Sequence, residues 1–223
     1  MYALTKTNPN KSLVEYFDNP HIKNLAFNGK AYTMYGKVRS GLIKRLKEIY
    51  YPDYRHKMKK HRKTKLQRKG SSIRIGKSID KEIFNLINNP KKKPRNSHTK
   101  ALVSYWESIE HTLQAAQVPV FIKKLNCCTQ ADVITQDKEG RLFLWEVKSG
   151  FNNSQKQSLL RNIEAVVPNC EKNHWQLQRH YTTEGLNDFG LNIEGSQIIN
   201  VYGEKNDMTV KRKKNPIWCQ KLK

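Results

Sequence analysis

The spacing of apolar residues along this chain switches between two periods, and the switches mark its elements. Near the start, YGKVRSGLIKRLKEIYY (residues 35–51) predicts a helix. From Ser78, SIDKEIFNLINN places Ile79, Ile83, Phe84 and Ile87 on one helical face. HTKALVSYWESIEHTLQAAQ continues with Leu102, Trp106, Ile109 and Leu113, which predicts one helix reaching to just before Pro119. VFIKKL, ADVITQ and RLFLWEV are short runs rich in β-branched and aromatic residues, and they read as three successive strands. Helices are expected again around SLLRNIEAVV and HWQLQRHYTTEGL, followed by strands QIINVYG and MTVKRKK joined by the turn EKND. No internal repeat is present. This order predicts a mixed α/β domain, a small sheet flanked by helices.

Charge adds a division to that outline. Residues 55–69, RHKMKKHRKTKLQRK, hold almost no apolar side chain and cannot bury a core. The run reads either as a solvated tether or as a basic helix face that contacts DNA or directs the protein to the nucleus. It separates an N-terminal basic helical extension, residues 1–69, from a main domain over 70–214 and a tail over 215–223. With 42 Lys and Arg against 19 Asp and Glu, the chain carries a formal charge of +23, which favours a polyanion such as nucleic acid. Arg55, Lys57, Lys59, Lys60, Arg62, Lys63, Lys65, Arg68 and Lys69 are the residues placed to meet phosphates. An anionic membrane fits less well, because no helix joins a basic face to a continuous apolar one. No stretch is apolar for long enough to span a bilayer, and MYALTKTNPN has no signal-peptide core. The expected location is intracellular, nuclear or cytoplasmic. Cys127 and Cys128 are adjacent, Cys170 and Cys219 stand alone, and no C-x-x-C pair occurs. Reduced cysteines are therefore expected, and Cys170 with His174 is only a two-ligand fragment.

The stretch ADVITQDKEGRLFLWEVKSG, residues 131–150, sets three charges into strands that are otherwise core-forming. Strand alternation puts Leu142, Leu144, Glu146 and Lys148 on one face and Phe143, Trp145 and Val147 on the other. If Lys138, Glu139 and Gly140 form a three-residue loop with the glycine left-handed, Asp137 pairs with Arg141 and Asp132 falls opposite Glu146. Side chains so paired lie about 5 Å apart at Cβ, and two carboxylates there repel unless a cation sits between them. Asp132 and Glu146 could hold one hard divalent cation, with the Val147 carbonyl as a third oxygen ligand. Lys148 would stand beside the metal-bound water, aimed at a phosphodiester. Glu-x-Lys triplets are common on exposed strands; here the aspartate at hairpin spacing, the apolar flanks and the basic field favour chemistry.

These residues resemble the PD-(D/E)XK nuclease superfamily, and in particular its RecB-like and lambda-exonuclease-like branch. The resemblance covers about residues 70–212 and implies a restriction-endonuclease-like αβββαβ core. It implies that Asp132 and Glu146 bind magnesium, with manganese able to substitute, and that Lys148 assists the attacking water. The branch carries a glutamine on the helix after the sheet, which matches Gln176 in HWQLQRHY, with Gln178 second. An early-helix histidine four residues after a glycine corresponds, from Gly76, to Asp80 here. A further acid from the helix before the first strand corresponds to Glu107, with Glu110 as the alternative.

The expected function is a magnesium-dependent deoxyribonuclease acting on DNA without strong sequence specificity, of the kind used in recombination or repair. The alternatives are a nuclease-fold DNA-binding protein without activity, and a nuclease acting on RNA. GSSIRIGKS is one residue too long for a phosphate-binding loop and follows a basic run instead of a strand. His111, His174 and His180 fit no compact ligand set, and NNS at Asn152 is a glycosylation sequon only in a secreted protein.

Overall fold

The computed structural model describes residues 2–53, 63–149, 159–163, 165–204, 207–213, 215, 216 and 218. In chain order the elements are β1 (Ala3–Leu4), α1 (Lys11–Asp18), α2 (Pro20–Lys23), β2 (Leu25–Phe27), β3 (Tyr32–Met34), β4 (Lys37–Gly41) and α3 (Leu42–Tyr50). They continue as α4 (Lys63–Asn88), α5 (Ser97–Ser108), β5 (Thr112–Ile122), β6 (Cys127–Gln136), β7 (Leu142–Ser149), α6 (Glu171–Asn187), β8 (Ile193–Glu204) and β9 (Asp207–Lys213).

The fold is mixed α/β, with a largely mixed sheet between two helical layers. Strands β5, β6 and β7 form an antiparallel meander, β8 joins β7 in parallel after α6, and β9 returns antiparallel to β8. On one face, Leu13, Tyr16 and Phe17 of α1, Leu42 and Leu46 of α3, and Leu177, Tyr181 and Leu186 of α6 bury against Ile134 and Leu144. On the other, Ile79, Ile83 and Ile87 of α4 and Leu102 and Trp106 of α5 pack on Val133, Trp145 and Ile199. The α4 pattern read from Ser78 is thus the face that carries the packing.

Residues 2–51, expected as part of an extension, build much of the first cluster, and β1 pairs with β5 through Ala3↔Ala116 and Leu4↔Ala115. The helix expected over 35–51 is instead half strand. Tyr35 and Gly36 turn with φ of 50° and 73°, the two positive values of a two-residue hairpin, and this closes β3 onto β4. The helix begins only at Leu42, whose face of Leu42, Leu46 and Tyr50 is buried.

A second expected helix is also cut short. α5 ends at Ser108 because Glu110 takes φ 58° and the His111 N–H reaches back to the Trp106 carbonyl at 2.8 Å, a Schellman-type stop normally given to glycine. The apolar residues beyond it belong to β5, where tertiary pairing with β6 overrides the helical spacing. SLLRNIEAVV, expected as a helix, is not one where it is described: residues 151–158 and 164 lie outside the described residues, and 159–163 with 165–168 form no helix, with one bridge, Leu159↔Pro168. Cys127, Cys128 and Cys170 are buried free thiols. Among the described residues no helix is long and apolar enough to cross a membrane.

Candidate active site

The β6–β7 hairpin sets the site. Asp137 N–H donates to the Arg141 carbonyl at 3.1 Å, and Gly140 closes the loop at φ 83°, the glycine conformation that a three-residue connection requires. From there the register runs Gln136↔Leu142 to Val133↔Trp145, and its next step is Asp132 opposite Glu146. At that step the ladder ends. β5 occupies one edge of β6 throughout, so β7 and β4 must share the other; β7 pairs along residues 133–136 and β4 along Cys127 and Cys128. Asp132 lies in the fork between them.

The fork explains how Asp132 meets β7. The Val147 N–H points at the parted edge and donates to Asp132 Oδ2 at 2.9 Å. A strand residue turns its N–H and its C=O to the same edge, so the Val147 carbonyl also faces the fork. On the other side, Gln117 stands opposite Asp132 with φ 54°, between the pairs Ala116↔Val133 and Val118↔Ala131. The ladder changes face at this point: Ala116 and Val133 belong to the second apolar cluster, Val118 and Ala131 to the first. Such a break re-aims a side chain that strict alternation would send into the core.

Around Asp132 the charges are dense and largely dry. Glu146 is fully buried, and one of its oxygens pairs with the Lys148 ammonium; the other, Oε2, is buried with no hydrogen-bond partner among the described residues. Burial first, then the Glu146 charge, pushes the Asp132 carboxyl well above the usual carboxylate range, against the opposing pull of Lys148. Asp80 of α4 is part of the same field. Its carboxyl is pushed up to about 6, mainly by burial, with Lys148 lowering and Glu146 raising it. Burial by itself would lower the Lys148 ammonium, but Glu146, Asp132 and Asp80 together hold it above its ordinary value. α4 passes close to the end of β7 at Gly76, where an added Cβ would sit 3.3 Å from Ser149 Oγ.

Helix α6 covers the other side. Lys148 Nζ donates to Gln178 Oε1 at 3.5 Å and lies 5.8 Å from the Trp175 ring centre. Trp175 and Gln178 are one helical turn apart, so they share that face. Gln176, expected as the motif glutamine, is fully buried and accepts from Arg179 Nε at 3.1 Å, so the α6 partner of Lys148 is Gln178. Arg179 in turn donates to the Ser196 carbonyl at 3.4 Å, tying α6 to β8.

Other expected residues lie elsewhere. Glu107 is exposed near the end of α5, and Glu110 pairs with Lys138 at 3.2 Å, at the loop end of the hairpin. Lys138 is six residues from Asp132, roughly 20 Å along the strand. Glu110 is thus drawn to the loop end of the hairpin, whereas Asp80 stands in the field of Glu146 and Lys148. The signal for Asp80 is the helical pattern, which puts it at the margin of the α4 apolar face. Trp175 and Gln117 are absent from the sequence-based set because nothing local marks them. His111 bonds Thr135 at 2.8 Å, His174 bonds Asn169 at 2.7 Å, and His180 pairs with Glu184 at 3.3 Å. Of the basic run, Lys63, Lys65, Arg68 and Lys69 fall on the first turns of α4, while Arg55, Lys57, Lys59, Lys60 and Arg62 lie outside the described residues.

The donor set fits a hard cation in type: two facing carboxylates, a third acid beside them, a carbonyl at the fork and one buried carboxylate oxygen lacking a partner. Among the described residues no group of three Asp, Glu, His or Cys side chains is already gathered around one point, and Lys148 supplies the counter-charge instead. No protein-family model matches the sequence, and no curated protein matches it significantly.

Proposed function

We propose that this chain is a metal-dependent deoxyribonuclease with a PD-(D/E)XK core. One observation carries the reading: Asp132 and Glu146 face each other across a hairpin at the point where its strands part, with Lys148 two residues beyond and ion-paired to Glu146. The succession α5–β5–β6–β7–α6–β8 supports the αβββαβ core that the motif implies.

Asp132, Glu146 and the Val147 carbonyl would hold magnesium or manganese, with Asp80 as a further oxygen donor. The bound ion would supply Lewis-acid stabilisation and a water of lowered pKa. Lys148 is held by Glu146 and Gln178 with its ammonium toward the fork, where it offsets negative charge developing on a phosphoryl group. Dry surroundings strengthen that interaction. Phosphate contacts from the basic surface would hold DNA without reading its sequence.

The test is digestion of linear, nicked, circular and single-stranded DNA, and of RNA, with and without magnesium. Magnesium-dependent loss of DNA is expected. Preferential loss of RNA would reassign the substrate, and no cleavage of any substrate would overturn the nuclease reading.

A further inference from the structure

A cavity of about 220 Å³ opens beside the fork, on the N-terminal side of β6. Its walls include Tyr2, Phe27, Tyr32 and Pro119, with Gln117 and Gln130, whose amide Nε2 donates to the Gln117 carbonyl at 3.4 Å. Phe27 and Tyr32 are cross-strand partners in the β2–β3 hairpin, and their rings stack at 4.6 Å. This hairpin belongs to the N-terminal segment, which therefore does more than complete the core. Gln117 is the residue opposite Asp132, so the wall and the acid stand on neighbouring strands about 5 Å apart. The Tyr32 phenol feels the same acid: burial first, and the Asp132 charge among the lesser causes, push it up to about 12.

We propose that this cavity receives one nucleobase of the strand whose phosphate lies at Asp132 and Glu146. The inference rests on the nuclease reading for its orientation, but the binding it predicts can be measured separately. A base and its own phosphate are joined through a single sugar, so a phosphate at the fork brings its base within reach of the adjoining wall. Aromatic faces stack on any base, and glutamine amides meet base edges as both donor and acceptor. The formal charge of +23 on the whole chain favours a polyanion as its partner.

The experiment titrates the full chain, in magnesium, with dAMP, with dTMP and with 2-deoxyribose 5-phosphate, which lacks a base. The mononucleotides should bind about tenfold tighter than the sugar phosphate. Phe27→Leu, which keeps apolar volume but removes a ring face, should erase that difference, and so should Tyr32→Leu. Gln130→Ala, at a partly exposed wall position, should change the ratio of dAMP to dTMP binding while leaving the stack intact. Equal binding of the mononucleotides and the sugar phosphate by the wild type overturns the proposal, even if the protein cleaves DNA. Base-dependent binding lost in Phe27→Leu upholds the cavity even if no cleavage is seen, in which case only the nuclease reading fails.

Discussion

The Val147 amide donates to Asp132 Oδ2 at 2.9 Å, across the point where β6 and β7 stop pairing. A backbone donor that would otherwise complete the ladder is given to a carboxylate, and the strand edge becomes part of the site. The consequences are measurable.

Glu146→Ala and Lys148→Ala should each remove most cleavage, on the order of 100-fold or more, and should separate in metal binding. Loss of Glu146 weakens magnesium affinity. Loss of Lys148 spares it but leaves Glu146 buried without its counter-charge, a change of about 3–5 kcal/mol in comparable pairs. Melting of Lys148→Ala should therefore fall in chelator and recover with magnesium more than the wild type does. Near-wild-type cleavage by either variant would remove the catalytic assignment.

For Asp80 the sign of the pH dependence is set by a raised carboxyl. Its value moves from 3.8 to about 6 in the fold, so ionisation costs stability: nothing is lost below about pH 4, and the penalty grows as pH rises through 6. Without metal, Asp80→Asn should be more stable than the wild type at pH 8, by about 1–3 kcal/mol, and no different at pH 4. Its magnesium requirement for half-maximal cleavage should rise. Thermal melts at the two pH values and one magnesium titration decide it; an unaltered titration would place Asp80 outside the metal site.

The two glutamines of α6 should part company. Gln178→Leu removes an acceptor for Lys148 and should slow cleavage about tenfold with little change in melting. Gln176→Leu takes an acceptor from the buried Arg179 guanidinium and should cost about 1–3 kcal/mol of stability. The reverse pattern would return the motif role to Gln176.

Gly185 permits the close seating of α6 on β5. An added Cβ would lie 2.6 Å from Val120 Cγ1 and 2.9 Å from Ile122 Cγ1, both side chains of the packed core. Gly185→Ala should destabilise by about 1–3 kcal/mol in denaturant titrations, although alanine is the better helix former by about 1 kcal/mol. A stabilised variant would mean that the helix shifts freely over the strand.

Neutralising the basic run over residues 55–69 should flatten the slope of log affinity against log salt by about one for each phosphate that no longer meets a cation. Magnesium binding should be unaffected. An unchanged slope would make the run a tether.

The hairpin, its loop and the register that points Asp132 toward Glu146 were legible in the chain because they are local. Glycine at position 140 admits a left-handed turn, and period-two alternation carries the register from there to the acids. The apolar face of α4 was legible for the same reason, since Ile79, Ile83 and Ile87 lie within a few turns of one another. What lay beyond local pattern was decided by packing. Leu113 fits a helical period from Leu102, yet it pairs with Thr135 in β5, because non-local strand pairing outweighs a propensity worth tenths of a kcal/mol per residue. The fork exists because β4, about ninety residues earlier in the chain, takes over the edge of β6 that β7 leaves at Asp132. Asp80, Gln178 and Gln117 reach that point from three other elements. Sequence spacing determined which acids face each other; only the tertiary structure brings the partners that bury them, charge them and open a cavity at their side.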